Sequence, residues 1–250
     1  MVLALDIGNT SLSLAAFDGE TLIDHDRIPV EDVEWISHTW RSSRLARLAP
    51  YEAVLISSVR PQAEPSIVAW ATDDLHAPAR FAGTDFPVPL RNLTDAPDQV
   101  GMDRLLAAYA GYRRAGGAAV VVTFGTAITV NAVSKDGGFL GGGIAPGIGL
   151  SAEALSRECA QLPRVTPQRM DRIIGGSTEA AIRSALYFGF AGLVQRLISG
   201  AAAELGGSPA VFGTGGDAAL LAPLLPGMEV VPQLVQEGLV KAWLAARGGA

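Results

Sequence analysis

The chain has 250 residues, 49% of them hydrophobic and 18% charged, which supplies apolar material for two cores and excludes a disordered, highly solvated chain. Its net charge is −6, and no run of Lys or Arg exceeds the pair Arg113-Arg114, which excludes binding to nucleic acid through a basic face. Cys159 is the single cysteine, so an intramolecular disulfide framework is excluded.

Residues 2–28 are predicted to form three short strands with turns at Gly8 and Asp18-Gly19. A helix is expected over 31–48, a strand over 53–57 and a helix from 61 to about 75. This succession is that of a mixed sheet with crossover helices, an α/β lobe. The segment 86–98 carries Pro87, Pro89 and Pro97 with little periodicity, so it is predicted to be a loop, and a functional one for its length.

A helix is predicted from about 100 to 112, with Leu105, Leu106, Tyr109 and Tyr112 at helical spacing. The next strand, 118–122, opens a second lobe, so the two lobes are placed at 1–115 and 116–250. Glycine is dense over 137–147, where the backbone must turn sharply or approach something closely. Helices follow at about 149–160 and 177–204. A strand at 209–212 leads into Gly213, Gly215 and Gly216, and terminal helices close the chain. Cys159 falls in the helical pattern Leu155, Cys159, Leu162 and is expected to be a buried structural thiol.

One pattern occurs twice. Leu3 to Ser11 returns 117 positions later as Val120 to Ile128, and each copy has an apolar run, a polar residue two before a glycine, then small hydroxyl or amide residues. Both copies are predicted to be β-hairpins with tight turns at Gly8 and Gly125, where glycine permits positive φ and lets an anion reach main-chain N–H groups. Asn9, Thr10, Ser11 and Thr126 add side-chain donors. The Asp6 carboxylate repels phosphate directly but suits a hydrated divalent cation that bridges to it. A nucleotide cleft between two related halves is the expectation, with the Gly213–Gly216 segment as a third wall.

Asp6-Ile7-Gly8-Asn9-Thr10, Gly101-Met102-Asp103-Arg104, Phe124-Gly125-Thr126-Ala127, Gly142-Gly143-Ile144-Ala145-Pro146-Gly147 and Gly175-Gly176-Ser177-Thr178 together resemble the type III pantothenate kinases in order and spacing. The resemblance spans nearly the whole chain. It implies two duplicated ribonuclease-H-like, actin-like ATPase lobes in each protomer of a homodimer that phosphorylates pantothenate with ATP, while the lone cysteine and the lack of a signal-peptide pattern predict a cytoplasmic chain. By the same resemblance Asp103 is the general base, while Gly101, Met102 and Arg104 line the pantothenate pocket. Asp6, Ile7, Gly8, Asn9, Thr10, Ser11, Leu12 and Ser13 hold the ATP phosphates, Asp6 through Mg2+. Gly125 and Thr126 bind them from the second hairpin, and Thr178 reaches substrate from the neighbouring subunit.

Those roles also suit the chemistry, because phosphoryl transfer is mainly positioning plus charge stabilisation. Asp103, on the first turn of a helix, is expected to keep its pKa near or below the ordinary value through the N-terminal dipole. Either Ser177 or Thr178, followed by Glu179, would cap the next helix. No apolar run reaches the ~18 residues of a membrane span, and the mean hydropathy of +0.29 predicts apolar surface buried between subunits.

The chain departs from the resembled pattern at three places. Thr123 and Asn131 stand where an Asp is usual, so the monovalent cation (K+ or NH4+) of that family loses formal charge at its site. The usual pantothenate-contacting Tyr is absent before Gly101, where Leu93 or Thr94 falls. A non-catalytic, regulatory relative and a kinase for another hydroxy acid are therefore the competing expectations.

Overall fold

The opening apolar run becomes β1 (Val2–Ile7), whose residues are buried except at half-exposed Asp6. Burial of both faces explains why the run is nearly continuous rather than alternating. β1 pairs antiparallel with β2 (Ser11–Asp18), which turns at Gly19 into β3 (Thr21–Pro29). β4 (Ala53–Ser58) then joins the other side of β1 in parallel, and β5 (Ala79–Phe81) joins β4. The result is a five-stranded sheet in the order β3-β2-β1-β4-β5. The structure, a computed structural model, describes residues 1–29, 36, 40 and 43–248. Most of the helix expected over 31–48 lies outside them, and Leu45–Leu48 forms a 3-10 turn.

Contacts divide the chain into two units. One comprises Met1–Arg91, Asp95–Ala110 and Gln233–Ala250, and the other Asn92–Thr94 and Gly111–Pro232. In the first unit, Leu3, Leu5, Ile7, Ile56, Ile67 and Trp70 are fully or almost fully buried in one core. The C-terminal helix Leu234–Gly248 packs on β1 and β4 of the same unit. Its Gly238 is needed for a close crossing: a Cβ there would sit 2.2 Å from the Leu106 carbonyl oxygen. That crossing locks the helix Met102–Ala115, which carries Asp103 at its start.

The second unit repeats the first. β7 (Ala119–Phe124) and β8 (Ala127–Val133) form the hairpin, β9 (Gly138–Pro146) extends it, and β10 (Ala210–Thr214) and β11 (Met228–Val230) add in parallel on the far side. The sheet order is β11-β10-β7-β8-β9-β6, the same arrangement with one strand more. That extra strand, β6 (Arg91–Asn92), comes from the segment expected to be only a loop. Its neighbour Leu93 donates its N–H to the Phe139 carbonyl at 2.9 Å, a backbone pairing that periodicity could not show in so short a stretch.

Three further expectations are corrected. The glycine-dense stretch is mainly strand β9 rather than a turn, with positive φ at Gly137, Gly141 and Gly142. Its close approach is nonetheless present, since a Cβ on Gly142 would lie 1.8 Å from the Val130 carbonyl oxygen. Cys159 is exposed just beyond the helix Ile148–Glu158, because the helix stops before the thiol can turn inward. The two hairpins also differ by one residue: Asp6 faces Ser13 in the first, whereas Thr123 faces Thr129 in the second, so the second turn is shorter.

The helix Thr178–Ser184 continues through a π-helical turn, Ala185–Gly189, into Phe190–Glu204. Ser177 is its cap, accepting from the Ala180 N–H at 3.2 Å, and Glu179 pairs with Arg183 one turn on at 3.2 Å. Ile182, Leu186, Tyr187, Ala191, Val194 and Ile198 form the stripe buried in the second core. Among the described residues this run of 27 is the one long and apolar enough to cross a membrane by composition alone, and 28% of its apolar window is buried.

Candidate functional site

In the first unit the turn after β1 closes with the Gly8 N–H donating to the Ser11 carbonyl at 3.0 Å. Asn9 and Thr10 stand exposed at its tip, while Ser11 and Ser13 are half-buried. Ile7 and Leu12 are fully buried and anchor the turn from below. Neither Gly8 nor Gly125 has the positive φ expected of it. Space is the constraint at Gly8, where a Cβ would lie 3.1 Å from the Ser11 carbonyl oxygen.

Asp6 is in register with Ser57 across the parallel β1–β4 pair. Burial pushes its carboxyl up to about 7, and the nearby Asp103 charge adds to this. The Ser57 hydroxyl and Arg27 pull the other way. Ser57 is 1% exposed, yet neither its Oγ nor Asp6 Oδ1 completes a hydrogen bond of normal geometry. An orphaned, buried carboxylate oxygen is costly unless something comes to it. A hard cation would suit that carboxylate oxygen, especially one that keeps most of its water and takes one or two protein carboxylates.

Asp103 sits on the first turn of its helix, beside half-buried Gly101, Met102 and Arg104. Its pKa is raised rather than held down. Desolvation by burial is the largest cause, and the Arg104 backbone N–H, the Arg104 charge and its own N–H offset it only partly. The expectation failed because the helix dipole acts through a few tenths of a charge, whereas loss of water penalises the whole ionised carboxylate. The Arg104 guanidinium is itself lowered by burial and raised by Asp103. Gly101 leaves room for the carboxylate, since a Cβ there would come within 2.5 Å of Asp103 Oδ1. Gly83, with φ of +85°, does the same for the Met102 methyl group, which a Cβ would approach to 2.4 Å.

In the second unit three glycine segments converge. The Gly125 N–H donates to the Ala127 carbonyl at 3.1 Å, and the Gly147 N–H to the Thr126 carbonyl at 2.8 Å. A Cβ on Gly147 would fall 2.1 Å from the Gly125 carbonyl oxygen, and one on Gly215 would fall 2.3 Å from the Phe124 carbonyl oxygen. The expected third segment therefore does abut the hairpin of its own unit. Thr123, Thr129 and Asn131 share the cross-strand neighbourhood, and the buried Asn131 amide donates to Thr129 Oγ1 at 3.0 Å. Thr123, Thr129 and Asn131 bring no formal charge to that neighbourhood. Thr178 is exposed at the start of its helix, with Ser177 taking the capping role.

Two arginines at the first turn escaped the sequence reading. Arg27 Nε donates to Ser11 Oγ at 2.9 Å, and Arg60 donates to the Asn9 carbonyl at 3.2 Å. They lie 16 and 51 residues from their partners, so no local motif could reveal them. Ser57 was missed for the same reason.

Two units of one sheet order, each built on a hairpin that turns at a glycine, define a protein of the actin-like ATPase and sugar-kinase fold class. Solved structures agree at the level of fold. A Campylobacter jejuni protein assigned to the Baf family of transcriptional activators superposes with a TM-score of 0.65 at 19% identity, covering 98% of this chain and 99% of that one. A Sinorhizobium meliloti protein assigned as a 2-dehydro-3-deoxygalactonokinase gives 0.57 at 16% identity, with 98% and 99% covered. The family model described as type III pantothenate kinase matches residues 2–200. Type III pantothenate kinases of Moorella thermoacetica and of Anaeromyxobacter sp. (strain Fw109-5) are each 37% identical, over 96% of this chain and 97% of theirs. The chain belongs to the type III pantothenate kinase family.

Proposed function

We infer that the chain transfers the γ-phosphoryl group of ATP to the hydroxyl of pantothenate, giving 4'-phosphopantothenate in the first step of coenzyme A synthesis. The observation that carries this is the Gly101–Arg104 arrangement, a buried carboxylate with an adjacent cation, in a chain of this family. In the transfer, the hydroxyl oxygen bonds to the γ-phosphorus, the bond to the ADP oxygen breaks, and Asp103 accepts the hydroxyl proton. A base whose pKa is raised by burial lies closer to the working pH, where proton acceptance is most effective.

The nucleotide phosphates are assigned to Asp6, Ile7, Gly8, Asn9, Thr10, Ser11, Leu12 and Ser13, with Gly125 and Thr126 from the second hairpin. Mg2+ on Asp6 would supply charge neutralisation between phosphate oxygens. Gly101, Met102 and Arg104 bind pantothenate, Arg104 through the substrate carboxylate or a phosphate oxygen. The neutral Thr123 and Asn131 support catalysis that does not depend on K+ or NH4+. The duplication itself is assigned to 1–115 and 116–250, although the C-terminal segment Gln233–Ala250 packs with the first unit.

Homodimer formation is supported by exposed apolar side chains of the second unit. Ile173 and Ile174 are 70% and 84% exposed, and Leu193 lies on the long helical run. Thr178, five residues from Ile173, would then serve the partner's site. A small-molecule substrate and a cytoplasmic setting complete the reading, with neither nucleic acid nor membrane as partner. A coupled ADP-release assay across a panel of hydroxy acids tests it. Turnover is expected with pantothenate, and turnover confined to another acid would overturn the substrate assignment. Light scattering gives the oligomeric state. Mixing inactive Asp103→Asn chains with inactive Thr178 variants should restore activity if Thr178 acts across subunits.

A further inference from the structure

The Gly8–Ser11 turn is gripped from two sides by cations. Arg27, on β3, reaches the turn's Ser11 hydroxyl, and Arg60, just beyond β4, reaches its Asn9 carbonyl. Each spends one donor on the turn and keeps further N–H groups of its planar fork. Among the described residues neither forms an ion pair with a carboxylate. Arg27 also lies close enough to Asp6 to lower its pKa, so its charge is felt inside the site.

The surroundings call for such charge. Two carboxylates, Asp6 and Asp103, belong to this site, and they repel a polyphosphate. One bound divalent ion leaves part of the polyphosphate charge uncompensated, and guanidinium groups match phosphate oxygens in both charge and geometry. We propose that Arg27 and Arg60 are phosphate-binding residues that contact the polyphosphate tail of the nucleotide while bracing the turn beneath it. This rests on the assignment of the Gly8–Ser11 turn to the nucleotide phosphates.

Calorimetric titration of the full chain with ATP, ADP and AMP in the presence of Mg2+ tests the proposal. Arg27→Ala and Arg60→Ala should each weaken ATP about tenfold or more, the scale of one charge-assisted hydrogen bond. ADP should weaken less and AMP scarcely at all. The salt dependence of ATP affinity should flatten as well. Equal weakening of all three nucleotides would show that the arginines act on something other than the polyphosphate, and unchanged ATP affinity would show that they do not reach it. Either result overturns the proposal. Should an alanine variant fail to fold, Arg27→Gln and Arg60→Gln keep the stem and a donor while removing charge, and the same ATP-against-AMP comparison decides. Gly8→Val separates the two levels. If it leaves ATP affinity intact, the assignment of the turn is wrong and the proposal falls with it. If it abolishes ATP binding while the arginine variants bind like the parent, the proposal alone fails.

Discussion

Gly101 lacks the one atom that would displace Asp103: a Cβ at position 101 would stand 2.5 Å from Asp103 Oδ1. The carboxylate thus folds back toward the start of its helix, where backbone N–H groups of residues 103 and 104 stabilise its ionised form. Gly101→Ala should push the carboxylate off this position with little change in melting temperature. Loss of about 10²-fold in kcat/KM is expected, the usual penalty for a misplacement near 1 Å. Steady-state kinetics beside a thermal melt checks both halves.

Asp103→Asn keeps the shape and removes the carboxylate proposed as proton acceptor. The kcat should fall about 10²- to 10⁴-fold, while ATP affinity stays close to that of the parent. A coupled assay with calorimetry measures the two quantities. Full turnover in the variant would remove Asp103 from its role as base.

Asp6 sets a pH dependence in the metal-free protein. Its folded pKa is raised from 3.8 to about 7, so between those values the folded state holds a proton that the unfolded state has released. Stability linked to Asp6 is therefore fully present below the unfolded value and is lost as pH rises through about 7. In EDTA the melting temperature should decline over that window. Asp6→Asn should flatten the decline and melt higher than the parent above neutrality. Added Mg2+ should raise the parent's melting temperature most at high pH, where the carboxylate is ionised, and should leave Asp6→Asn unmoved.

The proposal of catalysis independent of K+ or NH4+ rests on the neutral side chains of Thr123 and Asn131. Turnover should be nearly flat across a potassium titration at constant ionic strength, with sodium or tetramethylammonium as balance. Thr123→Asp should introduce a potassium requirement. A steep requirement in the parent would contradict this.

The β1–β2 and β7–β8 hairpins were readable because each is local: an apolar run, a glycine and a second run within about a dozen residues. The Asp103 helix and the long helix from Thr178 were readable from their spacing and first-turn residues. Strands β5, β6 and β11 were not, since two or three residues carry no period and are defined by the strand beside them. The pKa direction at Asp103 was missed for a related reason. The dipole of a helix is visible in its sequence position, whereas the burial that outweighs it comes from chain brought in from elsewhere.

Sequence alone determined the duplicated hairpin, the α/β class and the family, because each is written in contiguous residues whose backbone requirements are local. Tertiary structure alone decided that Ser57 stands beside Asp6, that Arg27 and Arg60 clasp the first turn, and that Gly147 and Gly215 fit against the second. Those contacts join residues 16 or more positions apart, and their strength depends on desolvation and interatomic distance, neither of which exists until the sheets have formed.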